Sequence, residues 1–431
     1  MDILFSNVTA LLMDEGGTVL KDAYVAVSGR QIAFVGQEKP QGFSGREIDG
    51  RGKVLMPGLI NAHTHVPMTL LRGYADGYDL QTWLNQYIFP AEAKLDKRAV
   101  RAATSLGLAE MIAAGVTSFS DMYYFCDEII EETIEAGLCA NISRGVTHFS
   151  GDFDPATHPA CQETRALAER WNGYSDGQIV VDVSIHGEYT SSERVWKYLA
   201  DYAAENGLGM HVHLSETKAE HMECIQRHGK TPAQILDAYG VFHTRAQAAH
   251  CVWVEPEDIA LLARRNVTVV HNPVSNLKLG SGIAPVRDFL SAGVDVALGT
   301  DGVSSNNSHD LFEEIKLAAI LHNGTTLDPQ AVSPLMALKM ATVNGAKAQG
   351  RIAGQIKEGY DANLILLSMD RPHMIPCHNV LSNVVYAGRG SDVVMNMTAG
   401  KIIYENGSFL TIDMEKTLWE VEHYAMPKVF G

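Results

Sequence analysis

No pair of cysteines has CxxC spacing: the six, Cys126, Cys139, Cys161, Cys224, Cys251 and Cys377, are scattered along 431 residues. A chain this long can bury a core without covalent staples, so reduced thiols are expected and a cysteine-ligated zinc is not. Runs of basic residues are missing too. Lys and Arg total 34 against 51 Asp and Glu, a formal net charge of -17, which offers no electrostatic footprint to a nucleic-acid backbone or an anionic membrane. No uninterrupted apolar run approaches the roughly 20 residues of a membrane span. The first basic residue is Lys21, so the N-terminus lacks the positive region of a secretory signal. Internal repeats, low-complexity tracts and long flexible linkers are also absent. A cytoplasmic protein with no membrane or nucleic-acid partner is expected.

The composition, 46% hydrophobic and 20% charged, is that of an ordinary globular protein. Residues 1–56 show period-2 patterning with turn signals, as in Ala23-Tyr24-Val25-Ala26-Val27-Ser28-Gly29-Arg30-Gln31-Ile32, and read as short strands. From about Leu55 to Ala348, apolar strand-like runs alternate with amphipathic stretches, the pattern of βα units wound into a parallel sheet. Eight strands are expected, at Val54–His63, Val116–Asp121, Cys139–Gly145, Ile179–His186, Leu208–Leu214, Gln247–Cys251, Val267–Asn272 and Val294–Asp301. Helices fit between them, for example over Asp96–Ala114, Asp127–Ala136, Ser192–Glu205 and Glu255–Arg264. Eight such units suit a closed (β/α)8 TIM-like barrel, with active-site residues at the carboxyl ends of the strands; an open doubly wound sheet is the alternative. After Gly350 strands are expected again, at Ala362–Leu367, Val380–Tyr386, Val393–Thr398 and Lys401–Tyr404. The economical architecture is an α/β barrel over residues 57–350, flanked by a small β-sandwich built from residues 1–56 and 351–431.

Histidine carries the chemical signal. The run Pro57-Gly58-Leu59-Ile60-Asn61-Ala62-His63-Thr64-His65 ends an apolar strand in two histidines one residue apart, which an extended chain points to the same side. A second pair, His211-Val212-His213, ends another strand and precedes Glu216; His213, at the strand's end, is the better ligand, and His211 would lie one layer deeper. Ala297-Leu298-Gly299-Thr300-Asp301-Gly302 is a buried strand ending in a carboxylate that needs a partner, and a metal is one. His250 and His271 end two further strands. Three neutral imidazoles and one carboxylate suit one divalent ion, Zn²⁺ foremost with Fe²⁺ or Mn²⁺ as alternatives, with a position open to water.

Other polar positions have simpler readings. His148, His158, His221, His243 and His423 read as hydrogen-bonded or solvent-facing residues. Asn272-Pro273-Val274-Ser275-Asn276 and Val303–Ser308 are turn chemistry. Because those loops follow the last two barrel strands they also rim the pocket, so Ser305 is a candidate substrate contact. Gly280-Ser281-Gly282 reads as a turn with no phosphate-loop context.

On His63-Thr64-His65-Val66-Pro67-Met68-Thr69-Leu70-Leu71-Arg72-Gly73, His213-Leu214-Ser215-Glu216-Thr217, Ala249-His250-Cys251, His271–Gly280 and Gly299-Thr300-Asp301-Gly302, the chain resembles the amidohydrolase superfamily. Within it, the match is to the mononuclear deaminases of 5′-methylthioadenosine and S-adenosylhomocysteine. The resemblance implies hydrolytic deamination of an adenine nucleoside, with His63, His65, His213 and Asp301 binding one metal ion, Glu216 as proton shuttle and His250 orienting the attacking hydroxide. Binuclear relatives use a lysine on the fourth strand; Ile179–His186 has none, leaving His186 to contact the ring. It further implies that Glu92 binds ribose hydroxyls, Arg144 contacts substrate and Trp83 packs against it. A second arginine, which holds the amino-acid tail in the family, is not evident in Gly151–Arg165. Barrel enzymes of this kind are often homo-oligomers. Two other readings remain: action on another heterocycle, as in guanine deaminases or s-triazine chlorohydrolases, and a binding protein merely stapled by a metal.

Overall fold

The computed structural model describes residues 2–149 and 152–431. Eight parallel strands wind into a barrel in chain order: β6 (Leu59–Thr64), β7 (Val116–Tyr123), β8 (Cys139–Val146), β9 (Ile179–Ile185), β10 (Met210–Leu214), β11 (Ala246–His250), β12 (Thr268–His271) and β13 (Val296–Leu298). Almost every residue of these strands is buried, because helices cover the outer face and side chains fill the lumen. The ladder runs from β6 to β13, and its two ends meet through side chains and loop backbone. The Asp301 N–H donates to the His63 carbonyl at 3.0 Å. The Thr300 N–H donates to Asn61 Oδ1 at 3.0 Å, and Asn61 Nδ2 to Thr300 Oγ1 at 2.7 Å. The barrel is thereby closed and the open-sheet alternative falls.

A second sheet gathers both ends of the chain. It contains β1 (Ile3–Leu11), β2 (Val19–Ser28), β3 (Gln31–Gly36), β4 (Arg46–Asp49), β5 (Lys53–Pro57), β14 (Leu364–Ser368), β15 (Val393–Thr398), β16 (Lys401–Glu405) and β17 (Ser408–Phe409). β5 joins the halves, pairing parallel to β1 and antiparallel to β14. Phe5, Val25 and Val27 share one core with Leu364, Met395 and Met397, although several strands separate them. The sandwich is therefore one nine-stranded sheet curled over its own apolar face.

Two expectations are corrected. The run Val54–His63 is not one strand: β5 ends at Pro57 and β6 starts at Leu59 in the other sheet. Gly58 makes the change of sheet, where a Cβ would come within 2.2 Å of Thr117. Val380–Tyr386, expected as a strand, is a helix. The Asn379 side chain caps it by accepting the Ser382 N–H at 2.9 Å, and Val384 and Val385 are buried where it meets the helices Leu311–Thr326 and Pro334–Met340. A β-branched run thus follows its cap and its packing partner rather than its strand propensity.

The last helical turns pack on the barrel's outer helices: Met414–Glu420 and Val421–Ala425 against Lys97–Ala113, and Met426–Phe430 against the turn Phe89–Glu92. Arg98 pairs with Glu420 at 2.8 Å, the Tyr424 hydroxyl donates to Asp96 at 2.6 Å, and Lys94 Nζ donates to the Val429 carbonyl at 2.8 Å. Among the described residues, no helix is long and apolar enough to cross a membrane.

Closure of the barrel predicts a sharp contrast between two glycines. A Cβ on Gly299 would sit 2.5 Å from Asn272 Oδ1 and 2.9 Å from the His63 nitrogen, whereas one on Gly324 meets nothing within 4 Å. Gly299→Ala should lower stability by about 1–3 kcal/mol. Gly324→Ala, inside a helix, should raise it by about 0.5–1 kcal/mol. Urea unfolding of both variants checks the difference.

Candidate active site

The carboxyl ends of the barrel strands bring four buried groups together. His63, His213, His250 and Asp301 each offer one ligand atom, all within 4.8 Å of one another. His65 borders them: its Nε2 lies 3.2 Å from Asp301 Oδ1 and 3.3 Å from His213 Nε2. The four residues expected to bind metal, with His250, therefore face one point.

The outer bonds of the imidazoles decide what their inner nitrogens can do. His65 Nδ1 lies 2.6 Å from the Met122 carbonyl, and His213 Nδ1 lies 2.6 Å from the His186 carbonyl. A carbonyl only accepts, so each Nδ1 carries a proton and, in the neutral ring, each Nε2 presents a lone pair inward. His63 Nδ1 is held 2.8 Å from His211 Nε2 in the layer below, and His63 Nε2 is buried without a hydrogen-bond partner. Facing lone pairs and an orphaned inward nitrogen fit a divalent cation.

Asp301 has left-handed backbone, φ 63°, a strained conformation for a residue with a side chain. Its Oδ2 accepts from Ser275 Oγ at 2.7 Å and from Ser305 Oγ at 2.9 Å, while Oδ1 accepts the Gly302 N–H at 2.9 Å. Burial opposes its charge, but the His63 and His65 imidazoles hold it well below the usual carboxylate range.

Glu216 follows β10, its Oε2 3.7 Å from His250 Nε2. Ser281 Oγ donates to Glu216 Oε1 at 3.3 Å, so the glycine-flanked turn at 280–282 also supplies a site contact. Burial pushes the Glu216 carboxyl upward. His250 Nδ1 sits 2.8 Å from Asn276 Oδ1, which leaves its Nε2 toward the cluster. Ser275, Asn276 and Ser281 escaped the sequence reading because their segments are also ordinary turn sequences.

Above the cluster opens a cavity lined by His65, Trp83, Glu92, His186, Glu216, His250, Asp301 and Ser305 among apolar residues including Met68, Leu84, Ile88 and Phe89. Burial, then the neighbouring imidazoles, push His186 down to about 3, so its ring is neutral. Ser305 lines the cavity but spends its hydroxyl on Asp301. Glu92 accepts from the Tyr123 hydroxyl at 2.6 Å; burial raises it to about 7.

Arg144 lies outside that inner cavity. It lines an outer one with Phe89, Glu92, Tyr124 and Glu163, pairs with Glu163 at 2.6 Å and stands 4.7 Å over the Tyr124 ring. Arg165 donates to the Tyr198 hydroxyl at 2.6 Å and the Pro155 carbonyl at 3.1 Å and lines neither cavity. Gly151, where the stretch without a second arginine begins, lies outside the described residues. His271, expected to converge with the other strand-end histidines, instead faces His322 across 3.0 Å.

A model of the amidohydrolase family matches residues 54–403. The chain is 42% identical over 427 residues to the 5-methylthioadenosine/S-adenosylhomocysteine deaminase of Thermoanaerobacter pseudethanolicus, covering 99% of each chain. It is 41% identical over 423 residues to the 5′-deoxyadenosine deaminase of Methanosarcina acetivorans, covering 97% of this chain and 96% of that one. The structure superposes on that of an adenosine deaminase from Xanthomonas campestris with bound zinc, with a TM-score of 0.93, 31% identity and coverage of 99% and 98%. With the match spanning the whole barrel and both ends of the curled sheet, the chain belongs to the amidohydrolase family.

Proposed function

We propose that the protein is a metal-dependent hydrolase that deaminates adenine nucleosides, taking up water and releasing ammonia. One divalent ion, Zn²⁺, would be held by His63, His65, His213 and Asp301. The observation that carries this reading is the buried Glu216 carboxyl 3.7 Å from His250, beside inward-facing imidazole nitrogens at the floor of an apolar cavity. A structural metal site would need neither Glu216 nor His250. When bound, the ion lowers the pKa of its water to roughly 7 and polarises it for attack.

The residues divide the remaining work. Glu216, raised by burial, delivers a proton to a ring nitrogen as the amine-bearing carbon is attacked; as carboxylate it then carries one proton from the attacking water to the departing amine and takes the water's other proton to return to the acid. His250, oriented by Asn276, aligns the attacking oxygen. The His186 ring and Trp83 bound the heterocycle, and Glu92 accepts from ribose hydroxyls.

The relatives' names differ in the 5′ group of the nucleoside. In the outer cavity the single arginine, Arg144, is paired with Glu163, and Glu92 adds a second carboxyl. That balance supports a preference for neutral 5′ groups, such as methylthio or hydrogen, over the charged tail of S-adenosylhomocysteine.

Ammonia release from 5′-methylthioadenosine, 5′-deoxyadenosine, adenosine, S-adenosylhomocysteine, guanine and cytosine tests this reading. The neutral adenine nucleosides should show kcat/KM about tenfold or more above S-adenosylhomocysteine, equivalent to about 1.4 kcal/mol. Silence on every nucleoside by metal-loaded protein would sink the assignment. Glu216→Gln should keep one metal per chain while kcat falls about 10²–10⁴-fold; metal loss would show that Glu216 is a ligand. Asp301→Ala should lose metal by elemental analysis as well as turnover. Because Glu92 is a carboxylate only above about pH 7, KM for a nucleoside should rise as pH falls through 7. Glu92→Gln should have a high KM with that dependence removed.

A further inference from the structure

The segment that presents Glu216 is strained and tightly held. Ser215, immediately after β10, has φ 47°, a region non-glycine residues seldom enter. Such a turn points consecutive N–H groups away from any ladder, and if buried they need acceptors. Both are taken by one side chain: Glu220 Oε1 accepts the Ser215 N–H at 2.8 Å, and Oε2 accepts the Glu216 N–H at 2.7 Å. Glu220 is 4% exposed and is in the first turn of the helix Lys218–His228, whose cap Thr217 accepts the Glu220 N–H at 3.2 Å. An ordinary capping box returns the N3 carboxylate to the cap's own N–H; here the carboxylate reaches the two residues before the cap.

The same segment is tied to the strand that delivers His250. The Ser215 carbonyl accepts the Val252 and Trp253 N–H groups at 3.1 and 2.9 Å, in a turn where His250 and Cys251 also have positive φ, 72° and 47°. Trp253 Nε1 donates to the Ser281 carbonyl at 2.7 Å, and the Ser281 hydroxyl reaches Glu216. The backbones carrying Glu216 and His250 thus share Ser215, and Glu220 is the side chain that grips Ser215 and Glu216 by their amides.

We propose that Glu220 is a positioning residue: it touches no substrate, and its bidentate grip on the Ser215 and Glu216 amides sets where the Glu216 carboxyl stands relative to His250. This rests on the reading of Glu216 as the proton-moving group. A carboxamide at 220 retains the size but has one acceptor oxygen, so one N–H would face an NH₂ donor. A shift of about 1 Å in a reacting group can cost about 10²-fold in rate.

The experiment compares wild type, Glu220→Gln, Glu220→Asp and Glu216→Gln, each loaded with metal, with 5′-methylthioadenosine as substrate and amide hydrogen exchange read on the peptide spanning 214–217. Glu220→Gln should keep one metal per chain, keep KM within about threefold, lower kcat about 10–100-fold and speed exchange at Ser215 and Glu216. Glu220→Asp, which retains both oxygens one methylene shorter, should fall between, and it decides the matter if the glutamine variant does not fold. A kcat within about twofold of wild type in the folded variants overturns the proposal. So does a loss of turnover that only parallels loss of metal or of folded protein. If Glu216→Gln itself turns over normally, the reading of Glu216 fails instead; if it is inactive while the Glu220 variants are normal, only the role of Glu220 fails.

Discussion

A carboxylate buried among imidazoles is the constraint on which the rest of the structure depends. Asp301 has almost no solvent, and an unpaired charge there would be prohibitive. Two serine hydroxyls, one backbone N–H and the nearby histidines meet its needs. The Asp301 N–H also bonds the His63 carbonyl, joining the last barrel strand to the first. Closing the barrel and assembling the cluster are therefore one structural event.

The surroundings divide the pocket by polarity. The inner cavity is walled by Met, Leu, Ile and Phe side chains around a few convergent polar groups, and desolvation there raises carboxylic acids and lowers imidazoles. Glu216 and Glu92 are raised, and His186 and His213 are held neutral. Raising a carboxylic acid there thus needs no unusual chemistry, only an apolar wall and a backbone that cannot retreat. The outer cavity, with Arg144, Glu163 and Glu92, is lined by charged as well as aromatic side chains, unlike the apolar wall of the inner one.

Much of this was legible because barrel strands leave a strong imprint: buried on both faces, they read as continuous apolar runs, and their polar ends stand out. His63, His65, His213, His250 and Asp301 were all visible as strand termini, and their strands end at one mouth. The same logic misplaced His271, which ends a strand equally well but faces His322. It also joined β5 to β6, since nothing in an apolar run marks a change of sheet except Gly58. Val380–Tyr386 misled for the opposite reason, its β-branched residues suiting a strand until Asn379 capped a helix.

The sequence by itself determined the alternation that makes a barrel, the residue types able to hold a divalent ion, and the order in which strands deliver them. Period and composition are local properties, written wherever a strand begins and ends. Tertiary structure alone decided that Ser275 and Ser305 hold Asp301, that Asn276 orients His250, that Arg144 is spent on Glu163, and that Glu220 grips the amides before Glu216. Most of these pairs come from different loops, and hydrogen bonding depends on tenths of an ångström that no spacing along the chain encodes. Two pairs are close in sequence, Ser305 with Asp301 and Glu220 with Glu216, each four residues apart. The role of Glu220 still depends on the positive φ at Ser215, a conformation the surrounding fold imposes and the residue type does not announce.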